Sequence, residues 1–434
     1  MRTLRAVLFQ LHWLLGLGAG LVLAVAGVTG ALLSYEDAIG EAFDADLIRV
    51  APRSEDRLAP DALLARFHVQ RPDTVASLTI AAEPGTAALV RLGRDPATGQ
   101  RPPSLYLDPH DGTVRGAART EEVFATIRRL HRWLLLPGDG KGWGRTLTGA
   151  SLVALLVLLG TGLYLRWPKV MSVRIWLKPH LRQWGRPTYW SLHAVAGTWV
   201  LPVYGVIALS GLWWSYDGYR EAVTVLLTQG EGIPRMAAAK PAATEAKPAA
   251  TETKPPATVA KPAASDAKPA GRKGVASRGE GRPGRREEGL GSPGVPPLDT
   301  AWTAFRSADA GRFTRATLTL PGGAEGVVRI RSKNRNGWRD DTRIEASTGR
   351  VLAHEVGGER PVGVRIAGNM LDVHSGRIFG VLGPPIFLVA ALLMPLFLVT
   401  GLLLYIGRRA ARARRRAATV APAGAATPAL GRRA

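Results

Sequence analysis

The amino-acid sequence predicts a membrane α-helical protein: a four-helix transmembrane bundle made from a duplicated helix-domain-helix unit, with two small α+β domains on one side of the bilayer. Three observations predict it. Four apolar runs are separated by polar sequence, basic residues gather beside those runs, and histidine, glycine, serine and tyrosine recur at fixed offsets in the two halves.

The runs cover residues 11–33, 147–165, 194–214 and 384–406. Each approaches the roughly 20 apolar residues that cross a hydrocarbon core about 30 Å thick. Over the whole chain 46% of residues are hydrophobic and the mean hydropathy is only +0.03, so clustering rather than content carries the signal. The first run follows Arg2 and Arg5 but outlasts the ~7–15 apolar residues of a signal peptide, which makes it a retained anchor.

A formal net charge of +23 would suit nucleic acid if the cations formed one folded face. They flank the spans instead. Arg2 and Arg5 precede the first; Arg166, Lys169, Arg174, Lys178, Arg182 and Arg186 fill the connection between the second and third; Arg408, Arg409 and Arg412 follow the fourth. By the positive-inside rule these regions, and with them both termini, are cytoplasmic. The expected partner is therefore the lipid bilayer, and no nucleic acid. The absence of cysteine excludes disulfides, thiolate metal sites, iron-sulfur clusters held by the chain and covalently attached c-type haem.

The repeat fixes the architecture. His12 is followed by Gly30, Ser34 and Tyr35 at offsets of 18, 22 and 23, and His193 by Gly211, Ser215 and Tyr216 at the same offsets. The second and fourth spans share Thr161-Gly162-Leu163 and Thr400-Gly401-Leu402, with His131 and His374 upstream. Outside the membrane, Asp108-Pro109-His110-Asp111-Gly112 and Glu345-Ala346-Ser347-Thr348-Gly349 read as tight turns between strands. Further strands are expected at 77–82, 86–92, 314–320 and 326–331, and short helices at 61–67 and 299–306.

The chain accordingly divides into a first transmembrane helix (1–35), a first outside domain (36–127), an interfacial segment with the second helix (128–166) and a cytoplasmic basic loop (167–190). A third helix (191–217), the start of the second outside domain (218–235) and a Lys/Pro/Ala linker (236–297) come next. The second outside domain (298–367), an interfacial segment with the fourth helix (368–407) and a cytoplasmic basic tail (408–434) complete it. The linker carries Lys-Pro pairs at 240, 247, 254, 261 and 268, whose prolines forbid a coiled coil, and it is expected to be disordered.

Topology sorts four of the eight histidines by side. His12 and His193 begin spans that start in the cytoplasm, whereas His131 and His374 precede spans entered from outside, giving one pair at each face. Neutral imidazole is a good iron ligand when its second nitrogen is oriented by a partner. One imidazole from each of two helices would clamp a haem iron, and two b-type haems would form a path across the bilayer. Gly16, Gly18, Gly20, Gly27, Gly30, Gly160 and Gly162 would let backbone approach a flat macrocycle, or serve plain helix packing. Zinc or copper would use the same imidazoles, but no HxxxH or HxH spacing supports either. His68, His110, His180 and His354 fit no pattern.

The motifs Leu11-His12-Trp13, Leu130-His131-Arg132-Trp133, Ser191-Leu192-His193 and Val373-His374-Ser375-Gly376, with the two outside turns, resemble the PepSY-associated transmembrane family. The resemblance implies that the outside domains are PepSY-like and periplasmic, and that the chain is multi-pass in the bacterial inner membrane. It further implies two haem b groups with His12, His193, His131 and His374 as iron ligands. The implied activity is reduction of a ferric siderophore or other ferric chelate in the periplasm, releasing ferrous iron. No G-x-G-x-x-G follows a strand, so the electron donor is expected to be a quinol or a membrane redox protein. Arg128, Arg129 and Arg132 would neutralise propionates, attract an anionic chelate or meet lipid headgroups. Two rivals remain: a membrane-anchored PepSY regulator of envelope proteases or the cell wall without redox activity, and a transporter of the chelate itself.

Overall fold

The computed structural model describes residues 2–51, 53, 56–95, 99–167, 172–230, 297–320, 326–335 and 337–420. The linker expected over 236–297 lies outside the described residues except for Pro297, as does the end of the tail.

The chain opens with α1 (Arg2–Gly18) and α2 (Gly20–Ser34), which meet at a bend of 54°. The first span, expected as one helix, is therefore broken midway. Glycines on both sides of Ala19 weaken the helix there, while the Leu23 N–H still donates to the Ala19 carbonyl at 2.9 Å. Next come α3 (Glu36–Phe43), α4 (Ala45–Ile48), α5 (Pro60–Gln70), β1 (Val75–Ala81), β2 (Ala88–Leu92), β3 (Leu105–Leu107) and β4 (Val114–Ala117). The chain returns through α6 (Glu121–Trp133) and α7 (Trp143–Arg166), crosses α8 (Val173–Leu177), and continues as α9 (Arg186–Ser215) and α10 (Asp217–Leu227). The second half repeats the order with α11 (Leu298–Asp309), β5 (Phe313–Thr319), β6 (Val327–Asn334), β7 (Arg339–Glu345) and β8 (Val351–Glu355), then α12 (Val362–Gly368), α13 (Met370–His374) and α14 (Gly383–Val420).

Helices α7, α9 and α14 are long and apolar enough to cross a membrane, and the bent α1–α2 pair makes a fourth candidate span. Their outward faces stay apolar. Val389, Leu392 and Val399 on α14 are more than half exposed, which suits contact with lipid rather than water. Inside the bundle Leu23, Leu155, Val200, Tyr204 and Met394 form the core, and the Tyr204 hydroxyl donates to the Ala390 carbonyl at 2.7 Å. Gly27 brings α2 against α14 so closely that a Cβ there would lie 2.6 Å from the Ala391 carbonyl oxygen and 2.7 Å from the Met394 Cβ.

The two outside domains expected as separate units share one antiparallel sheet, in the order β4-β3-β2-β1-β5-β6-β7-β8. β1 and β5 pair at its centre, with Thr79 opposite Thr317 and their hydroxyls 2.9 Å apart. Pairing joins two strands that would otherwise each leave an open edge. Helices α5 and α11 cover one face, burying Phe67 and Phe305 completely against Leu78, Val90, Leu318, Ile330 and Ile344. Each such aromatic contributes on the order of 1.5–3 kcal/mol.

The helices also cap one another. Asp61 accepts from the N–H groups of Leu298 (2.9 Å) and Asp299 (3.0 Å), and Asp299 accepts from the N–H of Asp61 (2.8 Å). Carboxylates thus satisfy donors that a helix start leaves unpaired. Burial, and then the neighbouring Asp61 charge, push the Asp299 carboxyl above its ordinary value of 3.8. The turn glycines Gly112 and Gly349 take positive φ (74° and 71°), and each backs onto one of these helices, at Arg66 and at Thr300.

Candidate functional site

The four histidines flagged by sequence meet as two pairs. His12 on α1 faces His193 on α9, with ring centres 6.2 Å apart and planes at 72°. His131 on α6 faces His374 on α13, at 6.3 Å and 70°. The first pair lies toward the end of the bundle where α1 starts, the second toward the sheet.

Each imidazole is held by a hydroxyl from a neighbouring helix. Nδ1 of His12 lies 2.8 Å from Thr161 Oγ1, that of His193 2.8 Å from Thr400 Oγ1, that of His131 3.0 Å from Thr29 Oγ1, and that of His374 2.9 Å from Ser210 Oγ. All four hydroxyl residues are buried. Every one of these hydroxyls also donates to the carbonyl four residues earlier in its own helix: Thr161 to Val157, Thr400 to Leu396, Thr29 to Val25 and Ser210 to Val206, over 2.6–2.7 Å. A hydroxyl has one proton. With that proton committed to the backbone, the oxygen can only accept from the imidazole, so Nδ1 carries the hydrogen and Nε2 keeps its lone pair. The fold thereby selects the tautomer that binds a metal.

A glycine follows each hydroxyl. A Cβ on Gly162, Gly30, Gly211 or Gly401 would stand 3.2, 3.1, 3.3 or 3.7 Å from the Cε1 of His12, His131, His374 or His193 respectively. The hydroxyl-glycine dipeptide is therefore a seat, in which one residue orients the ring and the next leaves room for it. Of the glycines expected to approach a macrocycle, Gly30 and Gly162 receive histidine rings, Gly20 and Gly27 receive α14 side chains or backbone, and Gly18 and Gly160 have nothing within 4 Å.

Thr29 and Ser210 were not singled out by the sequence reasoning, although the signal was there. Both stand 17 residues after a paired histidine, and Thr29-Gly30 and Ser210-Gly211 repeat the pattern of Thr161-Gly162 and Thr400-Gly401.

A cavity of about 1340 Å³ opens around the first pair, lined by His12, His193, Gly16, Gly162, Tyr204 and Phe397 and bordered by Arg5, Arg186, Arg408 and Arg412. It exceeds the ~300–1,000 Å³ usual for a small-molecule pocket. His180, which the sequence left unassigned, also lines it. Around the second pair, Trp214 meets His374 edge to face with centres 5.5 Å apart. The arginines expected near this pair have other partners: Arg128 pairs with Glu36, Arg129 with Asp139 at 3.4 Å, and Arg132 stacks over Trp133 at 4.8 Å. His354 is bound within the sheet to Thr342 at 2.9 Å, and His68 packs on Phe67.

The donor set can be tested against possible occupants. No group of three or more His, Cys, Asp or Glu is poised for a metal ion among the described residues, so a bare ion at either pair would have two protein ligands. A porphyrin brings four equatorial nitrogens and needs only two more. Two imidazoles sharing one iron at about 2 Å each, with roughly 1.2 Å from nitrogen to ring centre, would stand about 6.4 Å apart between centres. The separations of 6.2 and 6.3 Å lie close to that figure, so the residues fit a bis-histidine haem.

A family model described as the PepSY-associated TM region matches residues 9–408, a stretch that contains all four histidines and all four hydroxyl seats. No curated protein matches the chain.

Proposed function

The chain belongs to the PepSY-associated TM family, and from that premise we propose that it is a di-haem b reductase of the bacterial inner membrane, passing electrons from a quinol or a membrane redox protein to a periplasmic ferric siderophore or other ferric chelate. The observation that carries the reading is the fourfold imidazole-hydroxyl seat, arranged as two pairs at 6.2 and 6.3 Å. His12 and His193 would hold one haem near the cytoplasmic surface, and His131 and His374 the other near the periplasmic surface. Both termini are cytoplasmic and the sheet is periplasmic.

When bound, haem supplies a one-electron ferric/ferrous centre near each end of the bundle. The chain's own residues do the rest. Thr161, Thr400, Thr29 and Ser210 fix the tautomer and hold the rings against rotation, which limits reorganisation on electron transfer. Leu23, Leu155, Val200 and Met394 make the bundle interior between the two ends apolar. Arg5, Arg186, Arg408 and Arg412 border the inner cavity, where they would offset the propionates of a bound haem. On release, ferrous iron leaves because hard oxygen donors bind it less tightly than ferric iron.

The test is a visible spectrum of the detergent-purified protein before and after dithionite, with extraction of protoporphyrin. We expect reduced α bands of haem b, with His12→Ala and His374→Ala each removing about half of the pigment. A folded, colourless protein from haem-replete cells would leave the regulatory reading instead.

A further inference from the structure

The second half of the sheet carries a surface rich in cations. On β5, β6 and β7, the residues facing away from α5 and α11 are dominated by Arg315, Arg329, Arg331, Lys333, Arg339 and Arg343, while Ala316, Val328, Ile330 and Ile344 fill the buried face. The register sets like charges directly opposite one another: Arg315 against Lys333, Lys333 against Arg339, and Arg329 against Arg343. Such cross-strand pairs are destabilising. Carboxylates answer several of these cations, Asp341 binding Arg329 and lying 3.9 Å from Arg331, Glu41 on α3 binding Arg315 at 3.2 Å and Asp372 lying 3.5 Å from Arg339. Lys333 has no carboxylate within 4 Å among the described residues.

The matching positions of the first half differ in part: Arg91 stands where Lys333 does, but it faces Ser77 and not a second cation. Where Arg331 faces Thr317 and Asp341, Leu89 faces Thr79 and Tyr106. That half is also roofed by the chain after α3: Asp44 accepts from the Tyr106 hydroxyl at 3.3 Å, and Leu47 packs over Gly116. The like-charged cross-strand pairs are thus a property of one half and not a requirement of the sheet. It is also wired to the bundle. Arg339 lies 3.5 Å from Asp372, two residues before His374, and Arg377 lies 4.0 Å from the same carboxylate.

We infer that the open face of β5–β7 is the docking surface for the ferric chelate, and that it selects polyanionic complexes, those built on carboxylate or hydroxycarboxylate donors, over neutral hydroxamate complexes. Closely spaced cations attract a multivalent anion and are relieved of mutual repulsion when it binds. Arg339 at the edge of the face leads toward the outer histidine pair. This inference rests on the reductase reading.

Gallium(III) has the charge of iron(III) and cannot be reduced under these conditions, so it separates binding from electron transfer. Titrating the full-length protein in neutral-lipid nanodiscs with gallium citrate should give saturable binding that weakens as salt is raised. A neutral gallium trihydroxamate should bind at least tenfold more weakly. The double variant Arg331→Gln/Lys333→Gln should lose at least tenfold in affinity for gallium citrate, while Arg306→Gln on the opposite side should not. Because Lys333→Gln removes repulsion from Arg315 and Arg339 while Arg331→Gln gives up only an exposed 3.9 Å pair with Asp341, the double variant should also melt close to the parent. Equal affinity for the neutral complex, or unchanged affinity in the double variant, would overturn the inference. So would a double variant that loses only adhesion to anionic-lipid vesicles. Haem content read on the same preparation keeps the two claims apart: pigment without gallium binding sinks the docking surface alone, whereas absence of pigment sinks the reductase reading.

Discussion

Inside the bundle the two halves of the chain use the same chemistry, and outside it they do not. Four histidines sit in four near-identical seats, each with a hydroxyl at 2.8–3.0 Å and a glycine beneath the ring. In the sheet the halves share strand order and the Thr79–Thr317 centre, yet one open face is roofed by α3 and α4 while the other is cationic. The difference separates two kinds of constraint. An imidazole seated between a hydroxyl and a glycine needs one geometry in every seat, whereas a sheet needs only its buried side to be apolar, which leaves the other side to be specialised.

The comparison can be broken first at Gly27. The third span carries Ala208 at the matching offset of 15 from its histidine, so the two halves differ there by one methyl. Gly27→Ala would drive that methyl into the Ala391 backbone. We expect overpacking of about 1–3 kcal/mol or more and loss of the monodisperse peak in size-exclusion chromatography, whereas Gly205→Ala, with nothing within 4 Å of its Cβ, should be silent.

Next come the seats themselves. Thr161→Val, Thr400→Val, Thr29→Val and Ser210→Ala should each loosen haem binding by about 10–100-fold, seen as faster transfer of pigment to apomyoglobin. A response confined to one pair would mean that the seats are alike in form only.

Smaller effects belong to the sheet. Asp61→Ala removes two hydrogen bonds from the first turn of α11 and should cost about 1 kcal/mol, lowering the melting temperature by a few degrees; Asp299→Ala removes one and should cost less. The smallest expected change is in pH dependence. Because the folded state holds the Asp299 carboxyl above its ordinary value, protonation is favoured more strongly when folded. This group therefore adds stability as pH falls through its raised pKa, and the gain is complete below about 3.8. Asp299→Asn should flatten that part of the melting curve against pH.

Much of this was legible from residue pattern. The strands expected at 77–82, 86–92, 314–320 and 326–331 overlap β1, β2, β5 and β6, because alternation of apolar and polar side chains is a local property. The histidine pairing followed from topology, since helix direction sorts residues by depth. The union of two domains into one sheet was hidden: strand partners far apart in sequence leave no local trace, and neither β1 nor β5 announces which edge it will meet. The bend at Ala19 escaped for a related reason, as an apolar run with glycine reads the same whether straight or broken. Thr29 and Ser210 were overlooked because a hydroxyl in a membrane helix is commonly satisfied by its own backbone; its second role as an acceptor appears only when another helix brings a ring to it.

The β1–β5 ladder has a mechanical consequence. Five residue pairs, from Ser77 with Thr319 to Ala81 with Arg315, tie together strands that lie downstream of the first and third spans. Any rocking of one half against the other, as alternating access demands, would have to shear that yoke or stretch the loops beneath it. A bundle clamped in this way is well suited to holding two sites at a constant spacing and poorly suited to carrying cargo between them.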